Sequence, residues 1–502
     1  MTLTLIIIGL AYLAELLLWL PALWQWKKPL AIAQIITILA ATLVLLGISL
    51  HASSVALALI SVYRIINLLR IVDGRTQSDY LFHGARKTSY VLIGVQASIA
   101  AIAAASTVIS WDSFGWWYEL AALQVAGAIT VLLSTNRQLH TTQPPELNNE
   151  IRNDELPSLT VAIPARNETS DLEACLRSLL QCNYSKLEIL VLDDCSQNRR
   201  TSEIIRGFAH DGVRFIAGEA PPNHWLAKNY AYEQLAREAN GELIMFCGVD
   251  ARFAPTSLNT VVKTLVQKKK TMLSVLPRNY ADREHTLAAS VVQSARYAWE
   301  LCLPRRLLGR PAVLSTCWII TRSSLKAAGG FASYKQSVLP ERHLAHRAIE
   351  QGQGYSFVCA DPLMGISSRK RFSEQLATAT RTRYPQLHRR PELVLAVSIL
   401  EFSLLVWPFI ILVIAAASMV PVILVLSLIT CGCLVLFYAK IMNLTYRAFL
   451  LRGFMLLPVA ALYDITLLNY SMWQYEFHEV IWKGRNICMP VMRVFDALPK
   501  ID

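Results

Sequence analysis

The sequence predicts an α/β domain with a mostly parallel sheet, inserted between an N-terminal and a C-terminal group of membrane-crossing helices. Three observations predict it. Apolar runs of bilayer-spanning length fill residues 1–140. From 158 to 392 short β-rich runs alternate with helical ones, the pattern of a doubly wound sheet. Apolar runs then return over 393–502. The composition agrees: 54% of the 502 residues are hydrophobic and only 17% charged, and the mean hydropathy of +0.37 exceeds that of a soluble domain of this length.

Lys and Arg outnumber Asp and Glu by 48 to 36, a formal charge of +12, which suits nucleic acid, anionic lipid headgroups or phosphorylated substrates. No basic run is interleaved with aromatics, so a nucleic-acid partner is not expected. The ten cysteines are scattered without a CxxC pair or a metal-finger spacing, which fits a reducing compartment better than a disulfide framework.

Residues 2–20 lack the basic start of a secretory leader and are followed by apolar runs at 30–50, 54–70, 89–110 and 117–134, giving five expected spans. Basic residues fall in alternate loops: Lys27 and Lys28, then Arg70, Arg75, Arg86 and Lys87, then Arg137. This asymmetry predicts an external N-terminus and a cytoplasmic domain from about residue 135, in a membrane of bacterial cell type. A polar, Pro-containing linker covers 141–157.

Within the α/β part, "LTVAIPA", "LEILVLDD", "VRFIAG" and "GELIMFCGVD" read as strands, separated by helical segments such as "LEACLRSLLQC" and "AKNYAYEQLAREA". Ligands on such sheets bind at the carboxyl ends of the strands. Asn167 with Glu168, Asp193 with Asp194, and Asp250 end three of these runs. A strand-terminal Asp is commonly a turn former or a helix cap. A set of them with Lys228 supplies hard oxygen ligands for Mg²⁺ or Mn²⁺ and a cation for phosphate. Beyond the domain, apolar segments run over 394–417 and 420–439; a third at 453–470 is interrupted by Pro458 and Asp464 and is expected to be re-entrant or interfacial. No internal repeat is evident.

These residues resemble the integral-membrane branch of the family 2 glycosyltransferases, which have the GT-A fold. "VAIPARNE" (161–168) looks like the family's opening strand and P-x-x-N-E turn, "LVLDDCS" (190–196) like its uracil-side acidic pair, and "NHWLAKNYA" (223–231) like its G-W-x-G-K-x-x-A segment. "FCGVDARF" aligns with the D-x-D stretch, with Gly248 in place of the first Asp. "LPERHLAHRAIEQG" (339–352) resembles the helix carrying the catalytic base, with Pro340 in place of its first acidic residue and Glu341 at the base position. "TRTRY" (380–384) and "QLHRR" (386–390) are imperfect counterparts of Q-x-x-R-W, and "VIWKGRN" (480–486) resembles the W-[KR]-G-R element of lipid-directed members.

The resemblance implies an inverting transfer from a UDP- or GDP-sugar donor to a lipid or polyprenyl acceptor at the cytoplasmic face. Asp250 would hold Mg²⁺ or Mn²⁺. Glu341 would be the base, and Pro164, Glu168, Asp193, Asp194, Lys228 and Arg389 would bind the nucleotide and diphosphate. The plainer readings are a solvated helix glutamate for Glu341 and a positive-inside flank for Arg381, Arg383, Arg389 and Arg390. His343 and His346 read as packing residues. "ASVVQSARYAWELCLPRRLLG" (289–309), with Tyr297, Trp299, Arg305 and Arg306, is expected to lie at headgroup level or to be an ordinary domain helix. Two alternatives stay open: a processive polysaccharide synthase, and a catalytically impaired scaffold or nucleotide-sugar sensor, suggested by Gly248, Pro340 and the missing Trp.

Overall fold

A computed structural model describes residues 12, 14–19, 23, 26–48, 52–73, 79–106, 115–146, 151–278, 287–302, 311–446 and 450–488. Nine strands form the α/β region: β1 (Leu159–Ala165), β2 (Leu187–Asp193), β3 (Val213–Ala217), β4 (Leu243–Cys247), β5 (Ala251–Phe253), β6 (Met272–Leu276), β7 (Cys317–Thr321), β8 (Tyr355–Cys359) and β9 (Ile366–Ser368). Seven of them make one sheet in the order β3-β2-β1-β4-β7-β6-β8. β1 to β4 run parallel, as do β6 and β8, while β7 is antiparallel to both its neighbours. β4 and β6 are buried at every position, as strands covered on both faces must be.

The chain winds outward from β1 to β2 and β3, through the helices Ser170–Leu180 and Arg199–Gly207. It then crosses back through Ala227–Glu238 to lay β4 on the other side of β1. This reversal makes β1/β4 the switch point of the sheet, where a crevice opens at the strand ends. One face of the sheet is aliphatic, with Ile163, Leu176, Met245 and Val261. The other holds an aromatic cluster in which Phe246 stacks on Trp318 with centroids 4.6 Å apart, an arrangement that adds about 0.5–1.5 kcal/mol to simple burial. β5 and β9 form a separate antiparallel ribbon that sets Ala251 opposite Ser368.

The α/β region lies in sequence between the helices Lys27–Ile48, Ala52–Val72, Asp79–Ser106 and Gly115–Thr142 and those of 391–477. Five described stretches are long and apolar enough to cross a membrane: Lys27–Val44, Val55–Val72, Tyr118–Thr142, Pro391–Ser418 and Pro421–Thr445. The expected span at 2–20 falls largely outside the described residues. In the segment at 453–470, a 3-10 turn at Phe454–Leu456 precedes one continuous helix, Leu457–Phe477. Pro458 falls in its first turn, where no amide donor is needed, and the buried Asp464 is neutralised by Arg383.

Further buried pairs join the helices: Arg64 lies 2.5 Å from Glu15, and Arg70 lies 2.9 Å from Glu476. The stretch read as a headgroup-level helix or an ordinary domain helix is the helix Leu287–Cys302. It is enclosed, with Tyr297, Leu301, Arg296 and Glu300 all buried. Tyr297 and Leu301 pack into a cluster with Phe437 and Leu457. Arg305 and Arg306 lie outside the described residues.

Candidate active site

The switch-point crevice is a cleft of about 290 Å³. β4 ends at Cys247, and Gly248, Val249 and Asp250 turn the chain into β5; the amide of Ala251 donates to the Gly248 carbonyl at 3.0 Å. Arg252 locks the turn by donating to the carbonyls of Val249 and Ala251 and to Asp171. The Asp250 carboxylate faces the cleft. Its Oδ2 accepts a hydrogen bond from Ser368 Oγ at 2.6 Å and lies 3.9 Å from Lys370 Nζ. Oδ1 has no hydrogen bond among the described residues. A Cβ built on Gly248 would fall 2.4 Å from that Oδ1, so the carboxylate folds over Gly248 into space that any side chain there would take.

Glu341 sits in the first turn of the helix Pro340–Glu350. It is 1% exposed, and among the described residues neither carboxylate oxygen has a hydrogen-bond partner. The nearest cation is Lys228 Nζ at 3.6 Å. Lys228 opens the helix Ala227–Glu238, lines the cleft and lies over the Tyr232 ring. Burial lowers its pKa, against the opposing pull of Glu341. Glu341 therefore stands behind Lys228 rather than in the cleft wall.

At the β1 and β2 ends, Pro164, Glu168 and Asp194 line the cleft. The Asp193 carboxylate instead accepts from the Ser196 amide at 3.1 Å and is not part of the wall. A hairpin of β10 (Ile481–Trp482) and β11 (Arg485–Asn486) closes this side. Arg485 Nη1 donates to both carboxylate oxygens of Asp194 at 2.8 Å. Burial raises the Asp194 pKa above the usual carboxylate value in spite of that pairing. Lys483 makes an ion pair with Glu168 and donates to the Arg166 carbonyl, and Arg166 donates in return to the Lys483 carbonyl. Arg389 lies away from the cleft, 3.7 Å from Glu476 and over the Tyr475 ring.

The cleft thus gathers Pro164, Glu168, Asp194, Lys228 and Asp250, with Glu341 behind them, and leaves out Asp193 and Arg389. It also contains Lys370, Glu374 and Thr378, to which the motifs assign no role, and Arg381 from "TRTRY", an imperfect counterpart of Q-x-x-R-W. Glu374, Thr378 and Arg381 share one face of the helix Phe372–Gln386 by their spacing. Arg383, two residues on, points the other way to Asp464. Helical spacing alone would have split the two arginines of "TRTRY" into one for the cleft and one for the helix packing. Nothing local marks Lys370, which reaches Asp250 only through the pairing of β5 with β9.

A second cavity of about 290 Å³, lined by Trp225, Leu226, Val338 and Ile487, shares Lys228, Arg381 and Trp482 with the first. His343 stacks on Tyr334, and His346 pairs with Glu350 four residues on.

Residues 160–329, which hold most of β1 through β7 and the Asp250 turn, match the model of the glycosyl transferase family 2 family. Among curated proteins, the probable glycosyltransferase YdaM of Bacillus subtilis is 33% identical over 108 residues, 21% of this chain and 25% of that protein. The 4,4'-diaponeurosporenoate glycosyltransferase of Staphylococcus haemolyticus is 30% identical over 135 residues, 26% of this chain and 35% of that protein. The matches thus span only about a quarter to a third of these relatives. Among solved structures, the mannosyltransferase PcManGT of Pyrobaculum calidifontis, in complex with GDP-Man and Mn²⁺, is 17% identical with a TM-score of 0.44, covering 71% of this chain and 99% of that one.

Proposed function

We propose that the protein is an inverting glycosyltransferase that moves a sugar from a nucleotide-sugar donor to a membrane lipid or polyprenyl acceptor at the cytoplasmic face. The observation that carries the reading is the grouping of Asp250, Lys228 and the hydrogen-bond-free carboxylate of Glu341 around one switch-point cleft. The apolar second cavity beside it and the flanking helices support a lipid acceptor.

In this reading Glu341 takes the proton of the acceptor hydroxyl. The acceptor oxygen then forms its bond to the anomeric carbon from the face opposite the diphosphate, whose bond to that carbon breaks with the electron pair leaving on the diphosphate. A donor phosphate that draws Lys228 toward itself would uncover Glu341 for this step. Glu168 and Asp194, steadied by Lys483 and Arg485, form the nucleoside side of the cleft.

A divalent ion fits the residues in a limited way. Asp250 offers one free carboxylate oxygen, and among the described residues no group of three His, Cys, Asp or Glu side chains could hold a metal. Mg²⁺ or Mn²⁺ would therefore be held by Asp250 together with phosphate oxygens, as Mg²⁺ commonly is at nucleotide sites. When bound it would supply charge neutralisation to the departing diphosphate.

A second reading, a nucleotide-sugar sensor, is favoured by one observation: both nucleoside-side carboxylates are already engaged by the hairpin cations. Nucleoside diphosphate release by the detergent-purified protein separates the two. It would be measured across UDP- and GDP-sugars with membrane lipids and Mg²⁺ or Mn²⁺, for wild type, Asp250→Asn and Glu341→Gln. Release that both substitutions abolish supports the transferase. Binding of a donor without release supports the sensor.

A further inference from the structure

The cleft holds cations that its own carboxylates do not satisfy. Glu168 and Asp194 are taken by Lys483 and Arg485, and Glu374 accepts from the amide of Arg371 at the start of its helix. That leaves Asp250 to face Lys370, at 3.9 Å, too long for a hydrogen bond. Arg381 has no carboxylate within ion-pair distance among the described residues; its guanidinium lies over the Trp482 ring, 5.1 Å from the centroid. The charge of the buried Arg296 acts on both of these side chains and adds to the positive field. Two cations, neither fully paired, therefore line a cleft in which Gly248 carries no side chain. The Asp250 carboxylate occupies the space above that glycine.

We infer that Lys370 and Arg381 bind the diphosphate of the donor directly, so that this cleft binds a nucleoside diphosphate without a divalent cation. The inference rests on the reading of the donor as a nucleotide sugar, and it concerns binding as distinct from turnover. The chemistry matches the two side chains. A guanidinium offers a planar pair of donors to two phosphate oxygens, and an ammonium a compact charge between phosphate and Asp250. Both bonds are charge-assisted and form in a partly buried site, where solvent screens them less.

The test is UDP and GDP binding to the detergent-solubilised full chain, measured by calorimetry in excess EDTA and again in Mg²⁺. Wild type is compared with Lys370→Met and Arg381→Met, which keep the length of the stems. The expected result is that the preferred nucleotide binds wild type with nearly the same affinity in both conditions. Each variant should weaken binding in EDTA by about tenfold or more, the usual scale for a hydrogen bond to a charged group. Lys370→Met should also make binding respond to Mg²⁺, because Asp250 loses its neighbouring cation. Thermal unfolding of each variant checks that it is folded, and Lys370→Arg should recover most of the affinity. Binding that requires Mg²⁺ in wild type and is unchanged in both variants overturns this inference alone. Binding of neither nucleotide under either condition overturns the donor reading, and this inference with it.

Discussion

Removing Arg485 tests how the C-terminal hairpin supports the nucleoside side of the cleft. Its guanidinium grips both oxygens of Asp194 at 2.8 Å, and the two side chains are 21% and 5% exposed. Loss of one partner from a fully buried pair costs about 3–5 kcal/mol because the other charge is left in a poorly solvated place. The partial exposure of Arg485 lowers the expectation for Arg485→Ala to about 2–3 kcal/mol. For a domain of this size that corresponds to roughly 5–10 °C in unfolding midpoint.

The pH dependence follows from Asp194. Burial already raises its pKa above the ordinary carboxylate value. A carboxylate of this kind contributes its full stability below the unfolded-state pKa and loses it as pH rises through the folded-state pKa. Without Arg485 the opposing pull is gone and the loss at neutral pH grows. The deficit of Arg485→Ala should therefore be greatest near about pH 7.5 and shrink toward about pH 5. A double-mutant cycle with Asp194→Asn, followed by thermal unfolding in detergent at both pH values, measures the coupling. Additivity within about 0.5 kcal/mol, or a deficit that does not change with pH, would refute the reasoning.

Glu341→Gln should lower kcat by at least about a hundredfold, the lower range for a general base, while leaving donor affinity near wild type in a binding titration. Gly248→Ala should displace the Asp250 carboxylate, since the new Cβ would meet Oδ1 at 2.4 Å. Lower transferase activity with an unfolding midpoint close to wild type is the expected signature. Arg64→Met should destabilise the helical region by about 3–5 kcal/mol by stranding Glu15, whose partner it is at 2.5 Å, and denaturant melts in detergent would show it.

The α/β alternation was legible because buried parallel strands such as "LIMFC" are continuous apolar runs with distinct ends. Asp250, Glu168 and Asp194 were legible because each follows such a run. The role of Gly248 was not, because the residue that uses its open space lies two positions on and turns back over it. Lys370 and the engagement of Asp194 by Arg485 depend on pairings between segments over a hundred residues apart, which no local pattern encodes. Arg389 was misleading for a related reason. Its spacing from Gln386 imitates a motif, but both His388 and Arg389 have positive φ after the helix ends, and this carries the side chain to Glu476. Pro458 and Asp464 looked like interruptions because a sequence shows neither that the proline begins the helix nor that Arg383 waits for the aspartate.

The ion pairs among the long helices bear on how the chain enters a bilayer. Ala52–Val72 carries two arginines, and their counter-charges come from opposite ends of the polypeptide: Glu15 for Arg64, and Glu476 for Arg70. During synthesis the first partner has already left the ribosome, but the second is made some four hundred residues later. Arg70 lies in the last turn of its helix, where its long side chain could reach water or headgroups between those moments. The helix that carries Glu476 leads into the hairpin that closes over Glu168 and Asp194, so a chain stopped short of Leu457–Phe477 would lack both the counter-charge of Arg70 and one wall of its cleft.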